Sequence, residues 1–164
     1  MNPQKTIKDI IELEGIGLHN GIKVNLCLKP AEVNSGIKFK RTDIDSKKNI
    51  IDASYKNVNS PILCTKIQNS HGISVSTIEH LMAVFYGEGI DNVLVEIDAP
   101  EVPIMDGSSF DFVEAMRSVG SQDQDLPKKF IKVLKKVEIK NGKKYISIEP
   151  LEKDLIIDFE IVYK

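Results

Sequence analysis

The sequence predicts an α+β fold, a mostly antiparallel sheet packed on two helices as one layer of each, and three observations predict it. Residues 22–29 alternate strictly: Ile22, Val24, Leu26 and Leu28 face one way, Lys23, Asn25 and Cys27 the other. That period belongs to a half-buried strand. Residues 76–86 instead carry the stripe Ile78, Leu81, Met82, Phe85, spaced i, i+3, i+4, i+7, which is one face of a helix. The third observation is the order of elements: strands, helix, strand, helix, then strands again.

Taken along the chain, residues 5–14 read as an extended start, with Ile7, Ile10, Ile11 and Leu13 as its apolar positions. Gly15, Gly17 and Gly21 mark a turn. Pro30 ends the alternating strand, and residues 36–41 are expected as its hairpin partner. Residues 42–49 are polar loop. Two short strands fit 62–67 and 72–74, joined by a turn at Asn69-Ser70-His71-Gly72. The first helix starts at Ser76 or Thr77 and stops at Gly87 and Gly89. A strand over 91–97 and a Pro-containing loop over 99–106 follow, then a helix over 109–119 with Phe112, Val113 and Met116 toward the core. Residues 121–129 are polar and read as a linker. Beyond them lie strand-like runs at 130–139, 144–148 and 155–163, with Asn141-Gly142 as a hairpin signal. Three strands with one bare apolar face need a cover, so either they pack on the preceding part or the chain continues.

Composition narrows the function classes. The chain has 164 residues, 41% of them apolar, and 22 Lys+Arg against 24 Asp+Glu for a net charge of −2. That argues against disorder and against a strongly basic nucleic-acid binder. Cys27 and Cys64 are too few for a disulfide scaffold and suit a reducing cytoplasm. The longest apolar runs, such as Leu155-Ile156-Ile157, fall far short of the roughly 20 residues that span a bilayer. The start of the chain has no signal-peptide core.

Glu79-His80 is the pair with chemistry in it. A zinc hydrolase needs imidazole on the metal and a carboxylate near the water it activates. The competing reading is a capping box: Ser76-Thr77-Ile78-Glu79 has the spacing with which Glu79 reaches back to the helix start. Helix geometry adds one observation. Glu79 and His80 point away from the core stripe, toward Ala83, Val84, Tyr86 and Gly87, which are small or apolar. Such a helix is expected to be covered on both faces. His19 lies in Gly15-Ile16-Gly17-Leu18-His19-Asn20-Gly21. The spacing is wrong for a dinucleotide loop, so this is an exposed turn or a place where backbone approaches a ligand closely. His71 reads as surface, Cys64 as a small buried side chain, and Ser108 as the cap of the second helix. Of three His, only His80 has a metal-like context, whereas a catalytic zinc takes three protein ligands.

Several segments together resemble a known family. They are Gln4-Lys5-Thr6-Ile7, the glycine-rich run 15–21, Gly36-Ile37-Lys38-Phe39-Lys40-Arg41, Leu63-Cys64-Thr65, Ser76-Thr77-Ile78-Glu79-His80-Leu81-Met82-Ala83, Gly89-Ile90-Asp91-Asn92 and Glu101-Val102-Pro103-Ile104-Met105-Asp106-Gly107-Ser108. In order and spacing they are similar to the UDP-3-O-acyl-N-acetylglucosamine deacetylases, zinc amidases of lipid A biosynthesis. The resemblance implies two domains of similar build, packed helix layer to helix layer around the site, with 1–125 as the first α+β domain and 126–164 as a linker and the first strands of an incomplete second one. It implies Glu79 as general base, His80 as one ligand of a Zn2+ ion, and Leu18, His19, Leu63, Cys64 and Thr65 as substrate-binding residues. It implies UDP-3-O-acyl-N-acetylglucosamine as substrate and UDP-3-O-acyl-glucosamine and acetate as products. Peripheral membrane contact is expected only through the acyl substrate. It places the remaining zinc ligands and the general acid beyond residue 164, so the chain is expected to be an N-terminal portion, inactive alone, whose partner is the missing C-terminal half. The competing function is a non-catalytic UDP-sugar-binding or regulatory module; an RNA-binding module fits the charge poorly.

Overall fold

A computed structural model of the chain describes residues 2–60, 62–152 and 155–162. It divides into two compact units, residues 1–128 and 129–164. No helix among the described residues is long and apolar enough to cross a membrane.

The first unit begins with β1 (Pro3–Ile7), β2 (Ile11–Ile16), β3 (Lys23–Pro30), β4 (Ile37–Arg41) and β5 (Ile50–Asp52). After a single 3-10 turn come β6 (Val58–Ser60), β7 (Lys66–Gln68) and β8 (Ser74–Val75). Helix α1 (Glu79–Gly87), β9 (Val93–Ile97), helix α2 (Phe110–Val119) and β10 (Ser121–Pro127) complete it. Five strands form the main sheet in the order β2-β3-β9-β4-β5, antiparallel throughout except for the parallel pair β4 and β9.

Register explains why one face of this sheet is dry. Ile11, Leu28, Val95, Phe39 and Ile51 are cross-strand partners in turn, forming a row across all five strands, and all five are buried. Side chains alternate along a strand, so the adjacent row points outward. It reads Glu12, Cys27, Glu96, Lys40 and Ile50. The buried face joins Leu81, Val84 and Phe85 of α1 and Phe112 and Met116 of α2 in one apolar cluster. The expected layers, one of sheet and one of helices, are therefore present.

Some expectations fail on pairing. Residues 37–41 form a strand, but not a hairpin with β3; β9 lies between them. The polar stretch 121–127 is no linker: it is β10, paired antiparallel with β1. Its polar residues are used by a buried amide network. Asn92 Nδ2 donates to Gln4 Oε1 at 2.8 Å and to Gln124 Oε1 at 2.7 Å, and Gly36 N–H donates to Asn92 Oδ1 at 2.8 Å. Gln124 Nε2 donates in turn to the Ala31 carbonyl. A composition that suggests solvent is here consumed by hydrogen bonds. Residues 62–65 are also not strand; only Lys66–Gln68 pairs in that region.

In the second unit, β11 (Val137–Asn141) and β12 (Lys144–Ile148) form the expected hairpin. Gly142 supplies the positive φ, +59°, that the first loop position requires. Val137 opposes Ile148 and Ile139 opposes Ile146, so one face is apolar, and all four side chains are exposed. Residues 130–136 and 155–162 are not strands, and Tyr163, the end of the last predicted one, lies outside the described residues.

Candidate active site

Helix α1 begins at Glu79, with Ile78 at its cap and no side-chain cap. The capping-box reading therefore fails. Glu79 turns its carboxylate away from the helix start: Oε2 accepts the Thr65 N–H at 3.0 Å. Backbone pairing holds the same segment, with Ile78 N–H donating to the Thr65 carbonyl at 3.4 Å. Thr77 is buried with φ +56° and donates its hydroxyl to Glu101 at 2.8 Å. Ser76, the other member of the capping box, donates its hydroxyl to the Pro100 carbonyl at 3.2 Å. Both side chains expected to serve the helix are thus committed to neighbouring loops.

The structure brings Leu63, Cys64 and Thr65 to the start of α1. Leu63 has φ +64° and is 87% exposed. A bulky residue in the left-handed region is uncommon. Cys64 and Thr65 are half-buried, as are Glu79 and His80. The His80 carbonyl accepts the Ser109 hydroxyl at 3.2 Å, which ties the start of α2 to the start of α1. Ser108 is not the helix cap residue, since α2 starts after Ser109. Its hydroxyl still accepts the Phe110 N–H at 3.0 Å and donates to Asp106 Oδ1 at 2.8 Å. With the Ser108 N–H as a second donor, Asp106 is held below the usual carboxylate range.

Leu18 and His19 are exposed on the turn after β2. That turn is closed by Gly21 N–H donating to the Gly17 carbonyl at 3.0 Å. It joins the α1 start through Glu101, which the site reading from the sequence did not single out. Glu101 is buried and accepts from the N–H groups of His19 and Asn20 at 3.1 Å, besides Thr77. The signal for it was weak: a carboxylate between Pro100 and Val102 in an otherwise apolar run. Gly17 is required beneath it, because a Cβ there would stand 2.7 Å from Glu101 Oε2 and would collide with Asn20 Oδ1.

The face of α1 opposite the core is open among the described residues of the first unit: Ala83, Tyr86 and Gly87 are exposed. The second cover expected for it does not come from that unit. No group of three or more His, Cys, Asp or Glu among the described residues is gathered closely enough to hold a metal ion. The donor set for zinc is partial: one imidazole, His80, with the Glu79 carboxylate beside it.

Fold and site define a class: an α+β domain that presents a carboxylate and an imidazole at a helix start, beside a loop that holds Leu63 at positive φ. A model of the UDP-3-O-acyl N-acetylglycosamine deacetylase family matches residues 4–164. The chain belongs to that family. It is 45% identical to the UDP-3-O-acyl-N-acetylglucosamine deacetylase of Shewanella violacea over 160 residues, which covers 96% of this chain and 52% of the relative. The enzyme of that name from Tolumonas auensis is 41% identical over 162 residues, covering 98% and 52%. That from Actinobacillus succinogenes is 46% identical over 150, covering 92% and 49%. The chain spans about half the length of the curated relatives it matches.

Proposed function

We propose that this chain carries the first half of the site of a cytoplasmic zinc-dependent deacetylase. The enzyme removes the acetyl group of UDP-3-O-acyl-N-acetylglucosamine in lipid A biosynthesis. The observation that supports it most is the Glu79 carboxylate, set beside His80 and fixed through Oε2 by the Thr65 N–H. Its Oε1 has no protein partner among the described residues, so it is available to a water. In hydrolysis, that water adds to the acetamide carbonyl, its proton passes to Glu79, and the C–N bond breaks to give acetate and the amine. His80 would be one zinc ligand, and a bound zinc would acidify the water and stabilise developing negative charge. The other donors, and the acid that protonates the amine, would come from a second half such as the relatives, about twice this length, contain. Leu18, His19, Leu63, Cys64 and Thr65 would contact the sugar and its acetamide. The partial donor set also favours a second reading, a UDP-sugar-binding or regulatory module without turnover.

Deacetylation assays on UDP-3-O-acyl-N-acetylglucosamine with added zinc separate the two. The chain alone is expected to show no turnover. Joined to the C-terminal half of a relative, it is expected to turn over. Glu79→Gln should then lower kcat by about 10²–10⁴-fold, the usual contribution of a general base. Sugar-nucleotide binding with no turnover in the joined protein would support the binding module and overturn the enzyme.

A further inference from the structure

Among the described residues Glu101 is the only buried carboxylate, at 1% exposure. Burying a charged group is costly unless hydrogen bonds replace its water. Its partners are the His19 and Asn20 amides and the Thr77 hydroxyl, with no Lys, Arg or His among the described residues in an ion pair with it. These partners lie on the two segments that carry the candidate site, not in the sheet.

The backbone around Glu101 has the same disposition. Residues 100–104 run between the two segments. On one side Ser76 N–H donates to the Pro100 carbonyl at 2.9 Å, and Val102 N–H to the Ser76 carbonyl at 3.1 Å. On the other, Ile104 N–H donates to the Ile16 carbonyl at 3.0 Å. The carboxylate closes the bridge, with Thr77 bound at Oε1, Asn20 at Oε2 and His19 shared between both oxygens. Consecutive N–H groups converging on one carboxylate fix the path of a loop.

We infer that Glu101 is the positioning residue of this site: by accepting these hydrogen bonds it sets the His19 loop against the start of α1, and so sets His19 relative to Glu79 and His80. Its importance for a reaction rests on the proposed function; its effect on the loop does not. The role is that of an acceptor, so a neutral acceptor of the same shape can fill it. A carboxamide oxygen at Oε2 accepts both amides, and an NH2 at Oε1 donates to the Thr77 oxygen.

Amide hydrogen exchange of the 164-residue chain tests this with Glu101→Ala, Glu101→Gln and Gly17→Ala. In Glu101→Ala, exchange at His19 and Asn20 should rise at least about tenfold while Leu28 and Val95, in the sheet, stay protected. Glu101→Gln should stay within about threefold of the parent at all four amides, because it restores the acceptor. Gly17→Ala, whose Cβ presses on both the Asn20 side chain and the Glu101 carboxylate, should release His19 and Asn20 as Glu101→Ala does. Should Glu101→Ala fail to fold, the contrast between the other two variants decides. Unchanged exchange at His19 and Asn20 would overturn the inference. So would a rise shared equally by Leu28 and Val95, or release in Glu101→Gln as large as in Gly17→Ala. A titration with UDP-N-acetylglucosamine forms a separate arm: affinity should fall at least about tenfold in the released variants and hold in Glu101→Gln. Retained affinity in a released variant would overturn the positioning role at the site. No binding by the parent chain would count against the proposed substrate class, while the exchange arm would still decide what Glu101 does to the loop.

Discussion

Glu96 stands on the outer face of the sheet between two lysines, 2.7 Å from Lys29 Nζ and 2.8 Å from Lys40 Nζ. Their hydrogen bonds hold its carboxyl below the usual carboxylate range. A carboxyl with a depressed folded pKa adds stability in full above its unfolded value, roughly pH 4.3, and loses it as pH falls through the folded value. Glu96→Gln is therefore expected to lower the thermal midpoint at neutral pH by an amount that shrinks below about pH 4. Both lysines are over a third exposed, so the effect is below about 1 kcal/mol. A midpoint difference that persists undiminished at about pH 2 would show that packing, not the ion pairs, carries it. Gly15 shows a second single-residue dependence. A Cβ there would lie 2.7 Å from the ring Cβ of Pro103 and 3.1 Å from Met105 Sδ. Gly15→Ala is expected to cost about 1–3 kcal/mol in urea denaturation, the usual cost of overpacking. A loss below about 0.5 kcal/mol would mean the loop moves aside freely.

At the scale of elements, the β1–β10 ribbon is attached to the rest of the first unit by amides as much as by apolar contact. Asn92 is buried and serves Gln4, Gln124 and the Gly36 N–H together. Replacing it by Ala leaves buried donors and acceptors without partners, at about 1–3 kcal/mol for each one stranded. Asn92→Ala is thus expected to lose at least about 2 kcal/mol and to raise amide exchange first in β10. A loss confined to tenths of a kcal/mol would show that water takes over the network. Helix α1 depends instead on burial: Phe85 is fully buried, and Phe85→Ala should cost about 3–5 kcal/mol.

For the whole molecule, every member of the buried apolar cluster lies between Ile7 and Met116. The first unit therefore has its own core. Residues 1–128 expressed alone are expected to unfold cooperatively within a few degrees of the full chain's main transition. Loss of that transition on removing 129–164 would refute an independent core. The second unit has a hairpin with an apolar face and four exposed aliphatic side chains on it. Two strands are marginal by themselves in water. Calorimetry is expected to show no separate transition for it.

The sequence by itself determined the α+β class, the alternation in β3, the core positions Ile78, Leu81 and Phe85 at α1, and the hairpin at Asn141-Gly142, whereas Val84, read as facing away from those positions, is buried in the core. Each is a local pattern, and backbone geometry within a few residues decides it. It also contained the pairing of Glu79 with His80, since adjacency on a helix needs no tertiary information. Only the tertiary structure decided that β9 inserts between β3 and β4, because hydrogen-bonding partners far apart in sequence leave no local mark. The same holds for residues 121–127, whose polar side chains read as solvent-facing until Asn92 and Ala31 are placed opposite Gln124. Residues 76–79 carried the spacing of a capping box, but the Thr65 amide and the Pro100 carbonyl take the side chains of Glu79 and Ser76. Glu101 is the clearest case: a single carboxylate in an apolar run gains its meaning from two loops, at residues 19–20 and 77, that meet only when the chain is folded.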